Sequence, residues 1–171
     1  MNRLGRSELR HNDLGSRRDV ASSRQATIVS ACLFGVNCRY DSQNNLNERV
    51  MRLCTKGVLI PVCPEQLGGL GTPREPMQIL GGRGSEVLDG EARVTTRSGR
   101  DVTKNLVRGA EEVLKIVRSL DVRDAILKSR SPSCGCGKIH DGMSSRLVEG
   151  DGVTAALLKR SGIWVITEDD L

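Results

Sequence analysis

Val102-Thr-Lys-Asn-Leu-Val-Arg-Gly-Ala-Glu-Glu-Val-Leu-Lys-Ile-Val-Arg-Ser-Leu120, followed after four residues by Ala125-Ile-Leu127, decides the fold class. Leu106, Ala110, Val113, Leu114, Val117 and Leu120 recur at spacings of three and four, the period of one helix face. Lys104, Arg108, Glu111, Glu112, Lys115 and Arg118 fall largely on the other side, as a solvated surface. Asp101, just ahead, supplies an N-cap. The Ala-Ile-Leu run then reads as the core of a strand. The same alternation closes the chain. A helix is predicted over 152–161, with Val153, Ala156, Leu157 and the stem of Arg160 inward, Gly162 as its C′ residue, and a strand over 163–167. Upstream, residues 28–33 and 58–62 are short apolar strands around a helix over 47–54. Helices crossing between short apolar strands predict an α/β fold. The expected form is a three-layer Rossmann-like domain with a short, mostly parallel sheet and helices on both faces.

The segments between these elements are less regular. Residues 67–84 hold six glycines and two prolines, and read as a long loop with a short turn around 77–80. Long loops inside compact domains are usually functional. A hairpin is predicted over 87–96 around Asp89-Gly90, and an irregular loop over 129–140.

The chain has 171 residues, enough for one domain with an ordinary core. Phe34, Tyr40 and Trp164 are its only aromatic residues, so the core is aliphatic and no stacking platform for single-stranded nucleic acid can be assembled. No apolar run is long enough to span a membrane. The net charge of +5 is uneven. Residues 1–27 carry Arg3, Arg6, Arg10, Arg17, Arg18 and Arg24 against Glu8, Asp13 and Asp19, while the remainder is nearly balanced. This tail is polar and Arg/Ser-rich, without the apolar stretch of a secretory signal. It is expected to be a disordered basic extension, with 28–171 as the single domain.

Six cysteines stand at positions 32, 38, 54, 63, 134 and 136. A chain without a signal that can build its own core needs no disulfides. Metal-binding or catalytic thiols in a reducing, cytoplasmic compartment are therefore expected. Cys54 reads as an inert core thiol. Cys32, Cys63 and Cys134 are placed differently, each at or beyond the end of a predicted strand. In a parallel sheet those ends share one edge, where ligand sites form. Three thiolates can hold three irons of a [4Fe-4S] cluster, or a zinc ion with water in the fourth position. Spacing alone does not choose.

Other chemistry lies close by. Glu65 directly follows Cys63-Pro64 and can carry protons, or cap the backbone amides of the Gly-rich stretch. Ser129-Arg130-Ser131-Pro132-Ser133 offers three hydroxyls and a guanidinium to a heterocycle, or caps a turn. His11 and His140 are the only histidines, and no Ser-His-Asp triad can be assembled. The glycines fit neither a phosphate-binding loop nor a dinucleotide fingerprint.

Ser30-Ala-Cys-Leu-Phe-Gly-Val-Asn-Cys-Arg-Tyr-Asp41, Pro61-Val-Cys-Pro-Glu-Gln-Leu-Gly-Gly-Leu70 with Thr72-Pro-Arg-Glu-Pro76, and Ala125-Ile-Leu-Lys-Ser-Arg-Ser-Pro-Ser-Cys-Gly135 resemble the three motifs of a widespread bacterial family of domains of unknown function. Asp151-Gly-Val-Thr-Ala-Ala-Leu157 and residues 162–168 also match. That family includes the thiouracil desulfurases, iron–sulfur enzymes that replace the sulfur of a thiolated uracil by oxygen. The resemblance implies a [4Fe-4S] cluster held by Cys32, Cys63 and Cys134, with an open iron for the substrate sulfur. It implies Glu65 as the proton-transfer carboxylate and Ser131 as a catalytic contact, with Ser129, Arg130 and Ser133 toward the substrate. Ser42 stands where the family carries glycine, and His140 where it carries tyrosine. The expected partner is a small thiolated base, not a membrane or a nucleic acid. The alternatives are a non-catalytic iron–sulfur or sulfur-trafficking accessory protein, and a zinc or structural binding module.

Overall fold

A computed structural model describes residues 26–142, 144 and 146–171. The expected N-terminal extension lies almost wholly outside the described residues.

Four strands form the central sheet: β1 (Ala26–Ser30), β2 (Val58–Val62), β5 (Asp124–Leu127) and β8 (Trp164–Thr167). Their order is β2-β1-β5-β8 and every pairing is parallel. All four therefore deliver their carboxyl ends to one edge. The strands are apolar on both faces, as a sheet covered on both sides requires. Ile28, Ala125, Leu127 and Val165 pack with helices α4 (Thr103–Ser119) and α5 (Val153–Arg160). Val29 and Ile126 pack on the other side, with Val50 of α1 (Glu48–Arg52) and the turn that holds Leu33. The layered α/β architecture expected from the sequence is the one observed.

Helix α4 buries Leu106, Ala110, Val113, Leu114 and Val117, each large aliphatic side chain contributing about 1.5–3 kcal/mol. Leu120, expected on this stripe, is 55% exposed because the helix ends at Ser119. The Asp101 carboxylate accepts from the Thr103 backbone N–H at 2.8 Å, so it caps α4 from one residue ahead of the formal N-cap. In α5, Leu158 turns inward, whereas Arg160 is exposed and pairs with Asp89. Gly162 has φ of 79° just beyond the helix, the left-handed geometry of a C′ glycine.

Four local expectations are corrected. The first strand stops at Ser30, and residues 31–34 form a 3-10 turn ended by Gly35 at φ of 91°. Cys32 thus leaves the sheet and enters the edge. The stretch 77–80 is a strand, β3 (Met77–Leu80), antiparallel to β4 (Arg93–Thr96). The predicted hairpin around Asp89-Gly90 is instead the junction between helix α3 (Gly84–Leu88) and β4. Glu86 takes the Arg83 backbone N–H at 2.8 Å and starts that helix. Residues 138–140 leave the predicted loop as β6 (Lys138–His140), antiparallel to β7 (Leu147–Glu149).

One short helix carries much of the chemistry: α2 (Pro64–Leu67), directly after β2. It lies against α4 so closely that only glycine fits on both sides. A Cβ on Gly109 would stand 1.9 Å from the Pro64 carbonyl oxygen, and one on Gly68 would stand 2.0 Å from the Asn105 carbonyl oxygen. Asn105 Nδ2 donates to the Gly68 carbonyl at 2.8 Å. These contacts fix where Cys63 and Glu65 emerge.

Candidate active site

A cavity of about 480 Å³ opens at the carboxyl edge of the sheet. Its wall includes Cys32 from the turn after β1, Cys63 and Glu65 from the end of β2 and the start of α2, and Ser131 and Cys134 from the segment after β5. The topology therefore brings together the three cysteines predicted from the strand ends, together with Glu65. It also brings Cys38, for which the sequence supplied no role. All six cysteines are free thiols.

The thiols form one electrostatic group. Cys38 interacts with both Cys32 and Cys63, and the Cys63 thiol donates to the Cys38 backbone carbonyl at 3.8 Å. The interaction with Cys38 lowers the Cys32 pKa against its burial, and the Asn45 side chain helps. Cys63 is held down to about 7, first by Cys38, against burial, and then by the Gln66 backbone N–H. Cys38 is pushed up, first by its interaction with Cys32 and then by that with Cys63. Cys134 is also pushed up, chiefly by burial, with Ser30 opposing as a hydrogen-bond partner. Among the described residues no three His, Cys, Asp or Glu side chains meet as ligands of one metal ion do. A polynuclear cluster takes each thiolate on a separate iron, so its ligands need not meet at one point.

The asymmetry of the thiols is testable in metal-free protein. Alkylation proceeds through the thiolate. Cys63 is expected to react with iodoacetamide along a curve with its midpoint near pH 7, and Cys134 only at far higher pH. Mass mapping of labelled peptides across a pH series checks this, and equal profiles would contradict the environments described.

Glu65 is nearly buried, its side chain 14% exposed, and burial raises its pKa while Arg74 pulls it back. Arg74 Nε donates to Glu65 Oε2 at 2.6 Å. Ser131 Oγ accepts the backbone N–H groups of Ser133 at 3.1 Å and Cys134 at 3.2 Å. It thereby shapes the turn that presents Cys134, while its own proton has no acceptor among the described residues. Ser129 also lines the cavity, but its hydroxyl donates to Glu168 Oε1 at 3.0 Å. Arg130 adopts φ of 63° and sends its guanidinium to Asp169 Oδ2 at 2.7 Å. Ser133 is fully buried with its hydroxyl 3.3 Å from Thr154 Oγ1, and does not line the cavity. The contact expected of Ser133 is thus corrected: its hydroxyl supports the wall from behind.

Residues without a role in the sequence reading complete the wall. Lys128 makes an ion pair with Glu168 and donates to Ser129 Oγ at 2.9 Å. Arg39 joins the Asp41 carboxylate and the Asn45 side chain, bracing the turn below Cys38. Ser42, two residues after Tyr40, takes φ of 61°, which glycine adopts freely and serine rarely. Arg74 stood inside the quoted Thr72–Pro76 stretch, but only its contacts reveal what it does. His140, in the family's tyrosine position, lines the cavity mouth with Arg97. No helix among the described residues is long and apolar enough to cross a membrane.

Comparison with known proteins agrees with this fold. The chain is 44% identical over 145 residues to the uncharacterized protein YbbK of Bacillus subtilis (strain 168), across 84% of this chain and 96% of that one. Its fold is similar to that of TudS, described as a [4Fe-4S]-dependent thiouracil desulfidase, with a TM-score of 0.75 and 41% identity over 86% of this chain and 93% of the other. The model of the 2-thiouracil desulfurase family matches residues 27–170, from the first strand of the sheet to the end of the chain's last turn, and the chain belongs to that family.

Proposed function

We propose that this chain is a [4Fe-4S]-dependent desulfurase that converts a thiolated pyrimidine such as 2-thiouracil, with water, into the oxo base and sulfide. The observation that carries the reading is the convergence of Cys32, Cys63 and Cys134, from three different strand ends, on one cavity that also holds Glu65. The donor set fits the cofactor: soft sulfur ligands, two of them biased toward thiolate. Cys32, Cys63 and Cys134 would hold the cluster. When bound, it supplies a Lewis-acidic iron, free of cysteine, that draws electron density from the substrate through its exocyclic sulfur.

The remaining work falls to the chain. Glu65 takes a proton from the attacking water and passes it on, and burial, which raises its pKa, makes it a stronger base than an exposed carboxylate. Oxygen from water replaces sulfur on carbon, and sulfide leaves with the water protons. No electron is gained or lost overall. The Ser131 hydroxyl, with its donor unused, holds a ring carbonyl or nitrogen. Ser129 and Arg130 shape the wall around that contact. The cavity volume of about 480 Å³ suits a small ligand.

Anaerobic purification followed by iron and acid-labile sulfide analysis tests the cofactor, and incubation with 2-thiouracil tests the reaction. About four irons and four sulfides per chain, with uracil and sulfide formed in equal amounts, are expected. A loaded protein that releases no sulfide from thiolated bases would point to the accessory role. A protein that takes up only zinc would overturn the cluster.

A further inference from the structure

Arg74 is bonded through all three nitrogens of its guanidinium. Nε–H donates to Glu65 Oε2 at 2.6 Å. One terminal nitrogen pairs with the same Oε2 and donates to the Cys38 carbonyl at 2.9 Å. The other donates to the Gly71 carbonyl at 3.1 Å and to Thr72 Oγ1 at 3.0 Å. Four of its five N–H groups thus make hydrogen bonds, and the ion pair with Glu65 falls on the nitrogen that also holds the Cys38 carbonyl. The Arg74 backbone N–H adds a bond to the Tyr40 carbonyl at 2.9 Å. Its side chain is only 6% exposed, less than that of any other cation of the cavity wall that makes an ion pair.

The placement on Glu65 is one-sided. Both contacts fall on Oε2, while Oε1 has no hydrogen bond or ion pair among the described residues, and Glu65 lines the cavity. A glutamate on a four-residue helix has little else to fix its rotamer. We infer that Arg74 is a positioning residue that clamps Glu65 through Oε2, leaves Oε1 for the reacting water, and ties that carboxylate to the cysteine turn through the Cys38 carbonyl. The inference rests on Glu65 as the proton carrier. The clamp needs a fork, not merely a charge: lysine has three donors on one atom and cannot span Glu65, Cys38, Gly71 and Thr72 together.

A double-variant cycle on the cluster-loaded full chain, with 2-thiouracil as substrate, tests it. Glu65→Gln and Arg74→Gln are each expected to lower kcat by about 100-fold, with KM within about threefold, and iron content is expected to stay at the wild-type level. The double variant is expected within about threefold of Glu65→Gln alone, because Arg74 acts through a carboxylate already lost. Arg74→Lys is expected to recover less than about a tenth of wild-type kcat. Additive losses, full activity in Arg74→Lys, or a fall in iron that tracks kcat would each overturn the inference. A crystal structure of Arg74→Gln decides the point without turnover. The Glu65 carboxylate is expected to leave its position, and finding it unmoved would overturn the clamp. If Glu65→Gln turns over like the wild type, it is the proton role of Glu65 that falls, and the same crystal structure still judges the clamp.

Discussion

Cys32→Ala, Cys63→Ala and Cys134→Ala are each expected to yield a folded chain that carries little iron and forms sulfide from 2-thiouracil about a thousandfold more slowly, or not at all. Removing one of three ligands leaves two, too few to retain a cluster against solvent and chelators. The lost electrophile is worth several kcal/mol of transition-state stabilisation, and about 4 kcal/mol corresponds to a thousandfold. Each side chain is small and the substitution adds no bulk. Cys32 and Cys134 are buried, so the circular dichroism spectrum should be kept while the visible absorption is lost. Cys38→Ala is the informative contrast. Its thiol holds the Cys63 pKa down, so removing it should spare iron binding and move the Cys63 alkylation midpoint upward. A fully loaded and active Cys134→Ala, beside an iron-free Cys38→Ala, would transfer the third ligand position from Cys134 to Cys38.

That contrast marks what the sequence could and could not disclose. The runs that became β2, β5 and β8, and the stripe of α4, were legible because local patterning sets them: aliphatic runs of strand length, and apolar residues at helical spacing. Parallel pairing then follows from the crossover helices, and with it the shared edge where Cys32, Cys63 and Cys134 meet. β3 and β4 were less legible. They are four residues each, sit among glycines and prolines, and are stabilised by pairing with each other and by Leu106 and Ala110 of α4. The polar wall was the least legible part. Glu65 and Arg74 are nine residues apart, Cys38 and Arg74 thirty-six, Lys128 and Glu168 forty. No local period encodes such pairs: Glu65 stood out beside Cys63, but its partner Arg74, like Lys128 and Glu168, looks like surface in sequence alone. Ser133 was misjudged for the same reason. The motif puts three serines side by side, but the turn held by Ser131 sends one toward the cavity and another toward Thr154.

Glu168→Ala is expected to lower the melting temperature by roughly 6–12 °C, although Glu168 touches no part of the proposed reaction. It follows β8 at the same sheet edge as the cysteines and is 7% exposed. One oxygen accepts the Ser129 backbone N–H at 2.8 Å, and the other accepts the Ser129 hydroxyl at 3.0 Å and pairs with Lys128. Alanine would strand three donors at once. Removing one partner of a buried ion pair costs about 3–5 kcal/mol, and the lower end applies because the Lys128 side chain is 24% exposed and can regain water. For a chain of this size each kcal/mol moves the midpoint by roughly 2–4 °C. Glu168→Gln keeps an acceptor for Ser129 but no charge for Lys128, so it should fall between the two. Thermal unfolding by circular dichroism at neutral pH ranks the three proteins. Iron content carries the argument to function: Ser129 opens the segment that ends in Cys134, so loosening its anchor should cost Glu168→Ala part of its cluster at temperatures where the fold is intact. A variant with wild-type midpoint and full iron would show that Lys128 and Ser129 find water at no net cost, and that the wall is held by Ser131 and the β6–β7 pair instead.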